Sequence, residues 1–224
     1  MTDQLDRLRA VARGDVATVV PVTPISEVGA PTTRSIRRGT ARGDPAAVTG
    51  FQWWAANVAV VVGNPKPNSR TLRVALAATD ALSRPALGSG ARSVIDLSQV
   101  ASELFDPTSK MVNDLIEAVE DSDLVVVASP TYKATYTGLL KSFLDRFSMN
   151  ALAQTVGVAV MTGASPLHAL APEIHLRPLL VELGACTPSR GLYVTEQQLD
   201  DLDAVVENWA ESARPLIERA LFPL

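Results

Sequence analysis

Cysteine is nearly absent from this chain. Cys186 is the single one among 224 residues. It has no partner for an internal disulfide, which fits a reducing, cytoplasmic setting and leaves stability to the core. Cys186 itself reads as a small apolar residue near a helix end. No apolar run approaches the ~20 residues of a membrane span. The formal net charge is −4, so there is no basic excess that would mark a nucleic-acid partner. Histidine is scarce too, with only His168 and His175. The acid cluster Asp200, Asp201 and Asp203 suits the start of a helix rather than a metal. Neither a Walker A loop nor a Gly-x-Gly-x-x-Gly pattern occurs, and no internal repeat is evident.

Residues 1–52 differ from the rest. They hold seven Arg, no Lys and five acids, and repeated Pro and Gly break any regular pattern after a possible short helix over 3–11. Arg37-Arg38 is followed by no apolar segment, so an export signal is rejected. This stretch is expected to be a weakly ordered extension or an arm. Trp53-Trp54 would anchor it or lead into the first strand. A single domain is expected over 53–224.

Within that domain, β-branched runs alternate with helical periodicity. Strands are predicted at 57–62, 92–97, 124–128, 155–162 and 191–194. Helices are predicted after each: 72–82, 109–120, 139–147, 167–183 with a kink at Pro178 and a stop at Gly184, and 196–221. Such alternation predicts an α/β fold, a doubly wound five-stranded parallel sheet with helices on both faces.

Three strand ends deliver unusual loops. Gly63-Asn-Pro-Lys-Pro-Asn-Ser-Arg-Thr71 runs into a helix N-terminus, where N–H groups and the helix dipole favour an anion. Ser69 there is an N-cap or a phosphate ligand, with Arg70 and Thr71 beside it. Ser129-Pro-Thr-Tyr-Lys-Ala-Thr-Tyr-Thr-Gly138 is polar and aromatic, and Thr162-Gly-Ala-Ser165 is polar with a Gly. Ligands of open parallel sheets bind at the carboxyl ends of strands. Three such loops suit a ligand with a phosphate at one end and a flat body at the other. Flavin mononucleotide (FMN) fits, as would another mononucleotide.

These segments resemble the NAD(P)H-dependent FMN reductases of the flavodoxin-like fold, and within them the branch that serves two-component alkanesulfonate monooxygenases. The resemblance rests on segments 63–71, 129–145 and 162–178. Asn64 and Pro67 depart from a typical member. It implies FMN and NADPH or NADH as cofactors, with Ser69, Arg70 and Thr71 on the phosphate. Pro130, Thr131, Tyr132 and Lys133 would line the flavin ring, and Thr162, Gly163 and Ala164 its pyrimidine end. No catalytic acid, base or nucleophile is implied, because flavin carries the hydride chemistry. Tyr136 would be an extra residue that makes a π-bulge in the helix, tied to flavin exchange and assembly. His168 falls where the family has a His and suggests capping or support. Reduced flavin would pass to a partner monooxygenase, and a homodimer or homotetramer is expected. The alternatives are an FMN-bound quinone, azo or metal reductase, and a non-catalytic flavodoxin-like electron carrier.

Overall fold

A computed structural model describes residues 56–83 and 91–222. The expected extension, its possible helix and the Trp53-Trp54 anchor lie outside the described residues. Five strands form one parallel sheet in the order β2-β1-β3-β4-β5. They are β1 (Val58–Val62), β2 (Arg92–Asp96), β3 (Leu124–Pro130), β4 (Val156–Gly163) and β5 (Leu192–Thr195). The helices are α1 (Arg70–Leu82), α2 (Lys110–Glu120), α3 (Gly138–Leu144), α4 (Arg177–Glu182) and α5 (Leu202–Leu221). This is the flavodoxin-like strand order.

Why the central strands read as unbroken apolar runs is now plain. Every residue of β1 and β3 is buried, because helices cover both faces of the sheet. Val58, Val60 and Val62 face one core with α1 and α5. Ala59 and Val61 face the other, with α2, α3 and α4. The period-two alternation of a strand separates the two sets. The register sets Val62 beside Ala128 and Pro130 beside Thr162. The chain therefore leaves β1, β3 and β4 at one edge. Strand order reverses between β1 and β3, which opens a crevice at that edge.

The segment expected as one long helix over 167–183 is three pieces: a 3₁₀ turn Pro166–His168, a π-helical turn Pro172–Leu176, and α4. Pro178 has no N–H to continue an α-helical ladder. The Arg177 N–H instead reaches back five residues to the Pro172 carbonyl. Gly184 ends the helix as expected, at φ +93. Its N–H bonds the Val181 carbonyl, and the Ala185 N–H bonds the Leu180 carbonyl, the paired bonds of a Schellman stop. Cys186 follows, exposed rather than packed. The last helix is likewise preceded by a separate turn, Glu196–Leu199. Asp201 is the N-cap residue of α5 and Asp203 lies in its first turn.

Arg146, just past the end of α3, is held mainly by backbone carbonyls. Its guanidinium donates to the carbonyls of Leu104 and Asp106, both at 3.0 Å, and to Asn113 Oδ1 at 2.8 Å. It clamps the 104–113 connection to the end of α3. Asp145 pairs with Lys141 one helical turn back.

Candidate functional site

The crevice is a cleft of about 460 Å³. The loop after β1 forms one end. Asn64 Oδ1 accepts the Lys66 N–H at 2.9 Å, a side-chain turn of the kind Asn favours. Asn68 stands at φ +51. Ser69 caps α1, its hydroxyl accepting the Leu72 N–H at 3.2 Å. By helix geometry the N–H groups of Arg70 and Thr71 have no acceptor within the helix. Both residues line the cleft, so this end offers anion donors as the sequence suggested.

The Thr71 hydroxyl is bonded within the protein. It is buried, accepts from Asn64 Nδ2 at 3.1 Å and shares a hydrogen with Thr162 Oγ1 at 2.8 Å. It joins the first loop to the third across the sheet edge. Asp96, at the end of β2, supports the same loop. The Asn68 N–H points at its carboxylate, which also accepts the Ser98 N–H at 3.1 Å and the Ser98 hydroxyl at 2.8 Å. Burial pushes the Asp96 carboxyl above the usual carboxylate range, against the lowering effect of these bonds.

The loop after β3 forms the other end. Ser129 is fully buried, and its hydroxyl accepts the Thr137 N–H at 3.0 Å. Thr137 caps α3 by accepting the Leu140 N–H at 3.1 Å, and donates its own hydroxyl to the Gly63 carbonyl. Residues 130–136 are thereby drawn into a closed loop. Its tip is a two-residue hairpin in which Tyr132 and Thr135 exchange backbone bonds of 2.8 and 3.2 Å. The two central residues, Lys133 and Ala134, take φ +52 and +71. That turn favours Asn-Gly, and a left-handed residue with a Cβ costs roughly 1–2 kcal/mol. Two glycines permit close approach. A Cβ at Gly63 would overlap the Leu140 side chain, and one at Gly163 would overlap the Tyr193 hydroxyl.

Of the ten expected flavin contacts, nine line the cleft; Lys133 does not. Tyr136 lies outside the lining as well, half-buried against the core shared by α2, α3 and α4. It stands before the Thr137 cap and so outside α3. The expected π-bulge at Tyr136 is therefore corrected: among the described residues the π-helical turn is at Pro172–Leu176. A buried hydroxyl caps α3 at Thr137 and starts a regular helix there. His168 is exposed and His175 half-buried.

Sequence reasoning missed Asn64, Thr195, Glu196 and Leu199, all of which line the cleft. The signal for the last three was Thr195-x-x-Gln198, a capping-box spacing. The Gln198 side chain accepts from the Thr195 N–H and hydroxyl, each at 2.9 Å.

FMN fits the residues present. The Thr131 hydroxyl is buried and has no hydrogen-bond partner, an uncompensated cost unless a ligand answers it. Gly163 lines the cleft with its backbone, since the space a side chain would take there holds the Tyr193 hydroxyl. The positive end of α1, with Arg70 and Lys66, suits a phosphate.

Fold and cleft together define a flavodoxin-like α/β protein with a mononucleotide site at its switch point. The chain belongs to the family of NADPH-dependent FMN reductases, whose sequence profile matches residues 56–200. It is an NAD(P)H:FMN oxidoreductase. It is similar to the NADH-dependent FMN reductase SfnF of Pseudomonas fluorescens, 35% identical over 143 residues, or 58% of this chain and 76% of that protein. The FMN reductase (NADPH) of Pseudomonas aeruginosa is 34% identical over 132 residues, or 57% and 71% of the two chains. Among solved structures, the apo form of the NADH:FMN oxidoreductase EMOB superposes with a TM-score of 0.65 at 27% identity. That match covers 72% of this chain and 89% of the other. No helix among the described residues is long and apolar enough to cross a membrane.

Proposed function

We propose that this cytoplasmic reductase treats FMN as an exchanging substrate and supplies reduced flavin to a partner monooxygenase. Bound FMN supplies the hydride acceptor. The protein binds and orients. The N–H groups of Arg70 and Thr71 and the Arg70 guanidinium hold the phosphate end. The Thr131 hydroxyl and the backbone at Gly163 set the ring. The Asn64–Thr71–Thr162 bonds keep the two ends at a fixed separation. The observation that carries the flavin-binding part of this reading is the buried, unpartnered Thr131 hydroxyl in a cleft whose far end is a helix N-terminus. The resemblance of segments 129–145 and 162–178 to the sulfonate-linked branch supports flavin transfer.

The test is steady-state oxidation of NADPH and NADH with FMN, FAD and riboflavin. A colourless protein that turns over added FMN is expected. Tightly bound stoichiometric flavin with poor turnover of free FMN would instead favour a quinone, azo or metal reductase. Background NADPH oxidation with added FMN would favour the electron carrier.

The reductase is further proposed to act as a homodimer or homotetramer. Leu167, Leu170, Ile174 and Val181 support this, since they recur at near-helical spacing and are all exposed. Sedimentation velocity checks it, and a monomer would sink it. Tyr136 is proposed to govern flavin exchange from its place between the ring loop and the Thr137 cap. Tyr136→Ala is expected to retain flavin through purification; unchanged flavin content and turnover would remove that role.

A further inference from the structure

One carboxylate sits at the anion end of the cleft. Glu196 lines it together with Arg70 and Lys66. Its Oε1 lies 2.8 Å from Arg70 Nη2, with the two side chains about half exposed. Glu196 is held there by more than this pair. It follows Thr195, which pairs with Gly163 at the end of β4. The Thr195–Gln198 capping box shapes the turn that carries it. Arg73 Nη2 donates to the Leu199 carbonyl at 3.0 Å and fastens that turn to α1. Chain geometry thus fixes a negative charge beside the cation that a phosphate needs.

We propose that Glu196 competes with the FMN phosphate for Arg70 and so sets how readily flavin leaves. This inference rests on the FMN reading above and adds to it a residue that governs affinity. An incoming phosphate must displace the carboxylate from the guanidinium, which costs the ion pair, or share it, which brings a like charge within a few ångströms. Such repulsion weakens binding of the phosphate and leaves the ring contacts alone. The cleft then keeps its shape while its affinity for the phosphorylated flavin is held down.

The experiment titrates FMN and riboflavin into the wild-type protein, Glu196→Gln, Arg70→Gln and the double variant, and follows FMN release by stopped-flow fluorescence. Glu196→Gln is expected to tighten FMN roughly three- to ten-fold, the size of one screened like-charge contact. It should slow FMN release by the same factor and leave riboflavin unchanged. Glu196→Asp, whose carboxylate is one carbon farther back, should fall between wild type and Gln. In the Arg70→Gln background the gain should shrink, because there is no guanidinium left to release. Equal effects on both flavins, no effect on either, or weaker FMN binding in Glu196→Gln would overturn the inference. A wild-type protein that binds riboflavin as tightly as FMN would overturn the phosphate assignment itself, and the inference with it.

Discussion

The two ends of the cleft are built by different means. At the phosphate end, short-range bonds satisfy the backbone: the Asn64 turn, the Ser69 cap and the contact from Asn68 to Asp96. One buried hydroxyl, on Thr71, then ties this end to β4. At the ring end, the backbone is bent against its own preference. Lys133 and Ala134 occupy left-handed conformations at an exposed tip, where Asn and Gly would be at ease. Strain of this kind persists only where the surroundings over-determine it. Here the Ser129–Thr137 bond and the Thr137–Gly63 bond do so. The comparison teaches that the loop leading into α1 is held by relaxed local bonds, while the loop after β3 carries its strain at an exposed tip outside the cleft lining.

Substitutions can break or sharpen that contrast. The largest effect is expected where the two ends meet. Gly63→Val would drive a side chain into Leu140 and should cost about 1–3 kcal/mol or more. A thermal melt should show a drop of several degrees, with flavin binding lost in parallel. Next comes Thr71→Val, which keeps the shape and removes the hydroxyl. It leaves Asn64 and Thr162 unpaired in a buried place, at about 1–3 kcal/mol. Chemical denaturation should register that loss, and FMN affinity should fall because the two ends are no longer tied. A variant with wild-type stability and affinity would show that the link is dispensable.

Ala134→Gly probes the ring end and should act in the opposite direction. Relief of the left-handed strain should stabilise the fold by about 1 kcal/mol, read as a raised melting temperature. If stability falls instead, the turn is not strained and the contrast between the ends fails. The smallest effect concerns Asp96. Burial raises its carboxyl pKa on folding, so the folded protein holds that proton more tightly than the unfolded chain. Stability from this group is present in acid and is lost as pH rises from the ordinary carboxylate range through the raised folded value. Asp96→Asn can keep an acceptor for Ser98 and Asn68 without the charge. Its melting temperature should exceed wild type at neutral pH, with the gap closing in acid. A gap that widens in acid would overturn this sign.

The chain order of strands and helices, the parallel sheet and nine of the residues that line the cleft were legible in the sequence. Each left a local trace: β-branched runs for doubly covered strands, a Ser before an apolar stripe for the α1 cap, a Gly for the stop at 184. Other features left little or none. The 167–183 stretch has a helical pattern throughout, yet Pro178 withholds one N–H and the ladder opens into a π-helical turn. Tyr136 sits in a motif that implied a bulge, yet the Thr137 cap begins a regular helix behind it.

What the sequence determined by itself is the layered α/β plan and the edge at which its polar loops emerge. Periodicity and capping act over a few residues and can be read from them. Only the tertiary structure decided what those loops do to one another. Thr71 meets Thr162 across 91 positions. Arg73 meets the carbonyl of Leu199 across 126, which sets Glu196 against Arg70. No local rule specifies such a pair, because its geometry exists only after five strands have come into register.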